Sequence, residues 1–593
     1  MKLSDYVAKF ISGLGVRHVF AISGGASVHL IQSIADTEDL TFICPHHEQA
    51  GAMAADSYAR VTGGLGVALS TSGPGATNLL TGVACAYYDS IPTLFITGQV
   101  ATFRSRGDTG VRQIGFQETD TIAIFRPVTK YAVRIDEPSE IRFELEKACY
   151  LAADGRPGPV LVDIPDDIQR KQVNPERLKG FLQPQRRPSG AFKTNMAKLL
   201  DLIETSVRPV LVIGAGVRLS KTTEILSDFI ETLGFPVVPT WAAADLIPSL
   251  NPLSVGTFGT HGTRYANFAV QNSDLVLSIG ARLDTKATGS PPSTFARAAR
   301  KIVVDIDKYE LAKFSTYGLA IDLLIEEDAG DFMRSLLAQL KARQKPDRSL
   351  WLKQIRKWKD RYPVCKDSYS QEEGVNPYVF VRALSDLSEE DECIVVDTGC
   401  AVAWMMQGFE FKRNQRLVHD WNNTAMGWAL PASVAASLAR NCRPVSCVVG
   451  DGSLLMNIQE LATVARHKLP VKIFLLNNRG YSMIRQTQDQ WLGSNYHASS
   501  FEGGLSDVAF TDVARSFGFD SFELLKNAEI DAGIRRALRS SGPVLCNVII
   551  DPHHRVVPQV KFGRPNEDSE PLLPREEFRS NMLIEPLEAS LTD

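Results

Sequence analysis

The chain has 593 residues, 44% of them hydrophobic and 22% charged, with a formal net charge of −4. That length exceeds what one hydrophobic core holds and predicts roughly three to four domains. The near-neutral, unclustered charge excludes a general electrostatic affinity for nucleic acid or for an anionic membrane surface.

The opening stretch, MKLSDYVAKFISGLGVRHVF, reads as an amphipathic helix running into a strand. It lacks the unbroken apolar core of a secretory signal, and no apolar run is long enough to span a bilayer. Nine cysteines, at 44, 85, 149, 365, 393, 400, 442, 447 and 546, include no CxxC. That usage predicts reduced core thiols and a cytoplasmic protein.

Short apolar runs alternate with helical patterns: HVFAI, FIC, VALST, TLFITG, PVLVDIP, PVLVIGAG, LVLSIGA, KIVVDID, CIVVDTG, VSCVVGDG, KIFLLNN and VLCNVII. Most are continuous and rich in Val and Ile, as in strands buried on both faces of a parallel sheet. The predicted class is α/β, with three domains of parallel sheets flanked by helices. FLQPQRRPSGAFKTN (181–195) reads as a linker, as does KARQKPDRS (341–349) with the polar helix and SYSQEEGVNPY after it. The expected domains are residues 1–180, 190–345 and 370–552. The tail, 553–593, is polar and punctuated by proline (KFGRPNEDSEPLLPREEF), and is expected as a surface extension or lid.

In the first domain, FICPHHEQAGAMAADSYARVTG places Glu48 after a strand and before an Ala-rich helix, flanked by Ala50 and Met53. A carboxyl used in acid–base chemistry needs a raised pKa and hence an apolar pocket. The plain alternative is a carboxylate favoured by a helix N-terminus. Further on, Gly73 and Gly75 bracket Pro74 in STSGPGATN, a tight loop before a helix, and GFQETD follows. In the middle domain, RPVLVIGAGV has Gly214 and Gly216 but no third glycine, a weak dinucleotide fingerprint.

In the last domain, residues 444–478 form a predicted strand–helix–strand unit. The first strand ends in Gly450-Asp451-Gly452-Ser453. The helix carries Leu454, Ile458, Leu461, Ala462 and Ala465 on one face, and the second strand ends in Asn477-Asn478. Ligands bind at that carboxyl edge of open α/β sheets. Asp451 and Asn478 offer the hard oxygens that suit Mg²⁺, which borrows further oxygens from a phosphate. The flanking glycines permit close backbone approach.

GDG followed by NN resembles the thiamine diphosphate signature. With STSGPGATNLLTGVACAYYDSIPTLFITGQV and GFQETDTIAIFRPVTKY, the chain up to about residue 550 resembles the acetolactate (acetohydroxyacid) synthase catalytic subunit family. The resemblance implies thiamine diphosphate and Mg²⁺, the metal held by Asp451, Asn478 and the Gly480 carbonyl. It implies Glu48 as the group that activates the aminopyrimidine, with Phe116 and Gln117 lining the active site and Gln117 donating to a developing oxyanion. Cofactor contacts would come from Gly24, Gly25, Gly73, Gly75, Asn78, Gly450, Gly452, Ser453, Tyr481, Ser482 and Met483. The Thr424 carbonyl would take the aminopyrimidine N–H, and Met426 would support the bent cofactor. A structural FAD is implied in the middle domain, touching His261, Gly262, Arg282 and the acidic pair Asp305 and Asp307. The active unit implied is a homodimer or tetramer with each site between two subunits.

Three positions depart from the family pattern. Asp420-Trp421-Asn422-Asn423-Thr424 stands where the family has a Gly-rich segment, Thr487 stands at the acceptor-selecting Trp, and Lys286 replaces an Arg. With Arg485, these changes predict a roomier, more polar acceptor side, so Lys286, Arg485 and Thr487 are the substrate candidates. The expected activity is decarboxylation of a 2-keto acid such as pyruvate and ligation of the two-carbon unit to a second carbonyl compound. The rivals are a larger aldehyde, diketone or keto-sugar acceptor, a simple decarboxylase, a flavin oxidase and a non-catalytic homologue.

Overall fold

The computed structural model describes residues 1–184 and 191–591. Part of the first expected linker, 185–190, lies outside the described residues, and a helix already runs over Ala191–Thr205.

The chain folds into three parallel sheets flanked by helices. The first contains β1 (His18–Ala21), β2 (Thr41–Ile43), β3 (Gly66–Ser70), β4 (Thr93–Gln99), β5 (Tyr131–Arg134) and β6 (Val160–Pro165), in the order β2-β1-β3-β4-β6-β5. The second contains β7 (Pro209–Ile213), β8 (Val237–Pro239), β9 (Leu275–Ile279), β10 (Arg300–Asp305) and β11 (Leu323–Glu326), in the order β11-β10-β9-β7-β8. The third contains β12 (Cys393–Val396), β13 (Arg416–Val418), β14 (Val445–Gly450), β15 (Val471–Asn477), β16 (Asp520–Leu524) and β17 (Val544–Ile549), in the order β13-β12-β14-β15-β17-β16.

The first and third sheets therefore share one strand order. Each reverses direction between its first and third strands, which opens a crevice beyond the carboxyl ends of β1 and β3 and of β12 and β14. Central strands are buried throughout: β3, β4, β7, β9 and β15 expose no residue. That is why they read as unbroken apolar runs.

The two end sheets also share a core. Helix Glu48–Thr62 lies on helix Ala429–Ala439, with Ala50, Ala52, Ala55, Ala429, Ala432, Ala435 and Ala436 fully buried between or beside them. Such small side chains let two helices approach closely. Polar groups pin the contact: Ser57 Oγ donates to the Ala432 carbonyl at 2.8 Å and Trp428 Nε1 to Asp56 Oδ2 at 3.0 Å.

Two expectations are corrected. The helix after β14 is not continuous; it runs Asp451–Met456, breaks at Asn457 and resumes over Leu461–Arg466. Asn457 turns its amide away to donate to the Gly427 carbonyl at 2.8 Å. Nor is the tail a plain surface extension. Asn566, Glu567, Asp568, Ser569 and Phe578 are buried, and Arg264 donates to the Ser569 and Pro571 carbonyls. Helix Arg575–Asn581 packs on the middle domain, where Asn581 accepts from Trp358 Nε1. The apolar underside of helix Ser349–Arg361 supplies the floor for it.

Candidate active site

The third sheet builds one group of residues. β14 and β15 pair in register so that Gly450 lies beside Leu476, which sets Asp451 and Asn478 side by side just past the strand ends. Asp451 Oδ2 accepts from the Gly480 backbone N–H at 2.7 Å. Burial pushes the Asp451 carboxyl up to about 6. Asn478 Oδ1 and Ser482 Oγ are buried and have no protein partner. A buried acceptor without a donor is costly unless something fills the gap, and a cation does so. Asp451, Asn478 Oδ1 and the Gly480 carbonyl thus fit a hard metal ion. Gly480 has φ +136°, and a Cβ there would lie 2.4 Å from the Ser499 carbonyl, so only glycine serves. Gly452 is packed under the Tyr481 ring, whereas Gly450 faces open space where a phosphate could approach. Met483 is half-buried on the helix that follows.

The first sheet builds a second group. Asn78 Nδ2 donates to Glu48 Oε2 at 2.9 Å. A Cβ on Gly75 would lie 3.4 Å from Glu48 Oε1, and one on Gly73, at φ +60°, 2.9 Å from Gln117 Cβ. Gly24, after β1, lies against Thr71, after β3, and Gly25 beside it faces open space. Glu48, Asn78, Gly73, Gly75, Gln117 and Gly24 therefore gather at one crevice. Glu48 is only half-buried, so its apolar enclosure is not completed by this chain. Phe116 is 85% exposed, and Gln117 carries φ +64° in the same turn. Among the described residues, no hydrogen bond or ion pair joins the Glu48 group to the Asp451 group.

Thr424, at φ +50°, and Met426 sit on the loop that runs from β13 to helix Ala429–Ala439. Sequence reasoning missed what holds this loop. Asp397, buried after β12, accepts from the Gly427 and Ala429 N–H groups at 3.2 and 2.8 Å and also bonds Ser453. Its only signal was a lone carboxylate ending the CIVVD run. Glu460 was missed as well; its Oε1 accepts from His46 N at 2.8 Å, two residues before Glu48.

The acceptor candidates separate. Arg485 is buried, and its guanidinium donates to the carbonyls of Asn478, Arg479 and Ser499. It ties the backbone of Asn478 and Arg479 to that of Ser499. The Thr487 hydroxyl likewise donates to the Met483 carbonyl of its own helix at 3.2 Å instead of pointing outward. Lys286 Nζ lies 4.6 Å from the centre of the Trp241 ring. With His261, Arg282 and Asn422 they line a cavity of about 110 Å³.

Within that cavity, His261 Nε2 is buried without a partner, and burial with Lys286 nearby pushes the ring down to about 4, so it is neutral. Arg282 donates to Glu310 and to Asn422 Oδ1, and Asp305 Oδ1 accepts from the Asp307 N–H. Asp307 caps the helix that starts at Lys308 and pairs with Arg156. Gly262 closes a tight turn on Phe258 and Gly259, and the Gly214 and Gly216 N–H groups bond the carbonyls of Ile279 and Gly280. Of these residues, His261 and Arg282 line the cavity, and the unpartnered His261 nitrogen is the feature there that fits a bound group.

Family profiles match along the chain: "Thiamine pyrophosphate enzyme, N-terminal TPP binding domain" over residues 1–124, its central domain over 196–336 and its C-terminal TPP binding domain over 397–548. The acetolactate synthase large subunit of Parasynechococcus marenigrum is 36% identical over 567 residues, covering 93% of this chain and 88% of that protein. The chain belongs to the thiamine pyrophosphate enzymes of the acetolactate synthase family. Acetolactate synthase 2, chloroplastic, of Nicotiana tabacum is 34% identical, covering 96% of this chain and 85% of that protein. Acetolactate synthase, chloroplastic, of Arabidopsis thaliana is 34% identical, covering 95% and 83%. The family member described here thus matches its relatives from the first sheet through the third.

Proposed function

We infer that this chain is a thiamine diphosphate-dependent carboligase of the acetolactate synthase type, which decarboxylates a 2-keto acid such as pyruvate and joins the two-carbon unit to a second carbonyl compound. The observation that carries the reading is the pairing of buried Asp451 with the unpartnered Asn478 Oδ1 at adjoining strand ends in the C-terminal TPP binding domain. Thiamine diphosphate supplies the carbon nucleophile and the electron sink for decarboxylation. Asp451, Asn478 and the Gly480 carbonyl would hold the Mg²⁺ that binds its diphosphate. Glu48, oriented by Asn78, would hold the proton exchanged with the aminopyrimidine, whose N–H the Thr424 carbonyl would accept. Gln117 would donate to the substrate oxyanion.

Glu48 and Asp451 lie in separate groups on one chain, and Phe103, Ile114 and Phe116 of the same segment are exposed. A second copy would cover these side chains and bring its metal loop to Glu48, so the active unit is at least an isologous dimer. The neutral, unpartnered His261 supports a structural FAD in the middle domain. All nine cysteines are free, which supports a cytoplasmic site of action. No helix among the described residues is long and apolar enough to cross a membrane.

Thr487 stands where the family has a bulky Trp, which supports a roomier acceptor side. We expect it to show little preference for 2-ketobutyrate over pyruvate. Product analysis by NMR, with labelled pyruvate, Mg²⁺, thiamine diphosphate and a panel of carbonyl acceptors, tests the assignment. Release of acetaldehyde alone, whatever the acceptor, would replace ligation by simple decarboxylation.

A further inference from the structure

Loop 420–427 carries Thr424 and Met426. Asp397 holds its C-terminal end at Gly427 and Ala429, and the anchors of its first half come from helix Leu80–Asp89 of the first domain. Asp89 ends that helix, and only 7% of it is exposed. Its Oδ2 accepts from the Trp421 N–H at 2.7 Å and its Oδ1 from the Asn422 N–H at 3.0 Å and from Asn422 Nδ2 at 2.5 Å. Arg60 Nη1 completes the set, donating to Asp89 Oδ2 at 2.6 Å and to the His419 carbonyl at 2.8 Å. Arg60 ends the helix that begins at Glu48, and Asp56 grips its other edge with both oxygens.

The same helix makes two further contacts with the loop. Asn423 Nδ2 contacts Cys85 Sγ at 3.4 Å, and Asn422 Nδ2 also reaches the Tyr88 carbonyl at 3.3 Å. Within the loop, Ala425 N donates to buried Asp420 Oδ2 at 2.9 Å. Each residue from Asp420 to Ala425 is thus tied except Thr424, which is left in a left-handed conformation that few side chains adopt unaided. Asp89 meets two adjacent backbone N–H groups with its two oxygens, a bidentate grip that only a carboxylate offers while also accepting from an arginine.

We propose that Asp89 is a positioning residue for the cofactor: its two carboxylate oxygens, held by Arg60, lock loop 420–427 so that the Thr424 carbonyl and Met426 are presented in one fixed geometry. The proposal rests on the reading that these two residues face thiamine diphosphate. In Asp89→Asn, one oxygen becomes an N–H₂ that must face either Arg60 or a backbone donor, so the bidentate grip is lost while side-chain volume is kept.

The test is titration calorimetry of thiamine diphosphate with saturating Mg²⁺, with steady-state kinetics on the same full-length preparations. Asp89→Asn is expected to bind the cofactor about tenfold or more weakly, the loss of one charge-assisted hydrogen bond. Its kcat should fall at saturating cofactor while KM for the 2-keto acid stays within about twofold, a split that general destabilisation would not produce. Should that variant not fold, Asn422→Ala decides. It removes one Asp89 contact, together with the Asn422 bonds to the Tyr88 carbonyl and from Arg282, and leaves the Arg60 pair; a weakening of about threefold is expected. Unchanged cofactor affinity in whichever variant folds overturns the latch. Parent protein that binds no cofactor with Mg²⁺ present would overturn the underlying reading instead, so the two failures are told apart.

Discussion

The Asn78 amide donates to Glu48 Oε2 at 2.9 Å, which fixes one oxygen of the carboxylate and leaves Oε1 facing Gly75. A glutamine at position 48 can still accept that bond. Glu48→Gln should therefore fold and assemble normally while turnover falls by ~10²–10⁴, the usual cost of removing a proton-transfer group. Single-turnover kinetics with added cofactor, alongside circular dichroism, check this. Near-parent turnover would remove Glu48 from the chemistry.

Metal binding should depend on pH through Asp451. Its carboxyl sits at about 6 in the folded chain, above the ordinary 3.8, so the metal-free fold holds this proton more tightly than the unfolded chain does. The stability it contributes is full below the unfolded value and is lost as pH rises through about 6. Mg²⁺ needs the ionised form, so apparent Mg²⁺ affinity should drop as pH falls below about 6. Calorimetry over about pH 5 to 8 should trace that fall. A flat profile, or tight cofactor binding by Asp451→Ala, contradicts the assignment.

Arg485 bridges three backbone carbonyls around the metal loop. Lysine offers a point charge where that planar fork spans several acceptors. Arg485→Lys should weaken Mg²⁺ binding and destabilise the fold by about 1–3 kcal/mol, since buried carbonyls lose their donors. Denaturant unfolding with and without Mg²⁺ measures both. Unaltered stability with a changed acceptor profile would return Arg485 to the substrate.

Thr487→Trp should bring back a bias toward 2-ketobutyrate as acceptor. The threonine is smaller than the tryptophan the family has there, and a pocket wall discriminates about 1–3 kcal/mol per methylene. Competition with equal pyruvate and 2-ketobutyrate reads the ratio. A parent already strongly biased, with no change in the variant, would show that position 487 does not set acceptor choice.

How far the sequence carried these conclusions depends on where each residue sits. The twelve apolar runs each became a strand. The five strands they leave out, β5, β8, β11, β13 and β16, are all edges of their sheets. Edge strands carry weaker signals: β5 is half-buried throughout, the burial of β11 alternates, and β8 has only three residues. Asp451, Asn478 and Glu48 stand out in the sequence because each lies just past a strand end or at the start of a helix. For Arg485 and Thr487, spacing along a helix does not tell whether a polar side chain turns out to a ligand or back to its own backbone. Asp89 and Glu460 act across hundreds of residues of chain and Asp397 across some thirty, and no local pattern reports such contacts.

The separation of the Glu48 and Asp451 groups on one polypeptide has a genetic counterpart. In a two-fold dimer, each centre takes Glu48 from one chain and Asp451 from the other. A chain bearing Glu48→Gln and one bearing Asp451→Ala are each inactive alone, but their mixed dimer concentrates both lesions in one centre and leaves the other intact. Co-expression of the two dead alleles should therefore restore up to half of the parental activity per mixed dimer, and intragenic complementation becomes a property of the fold.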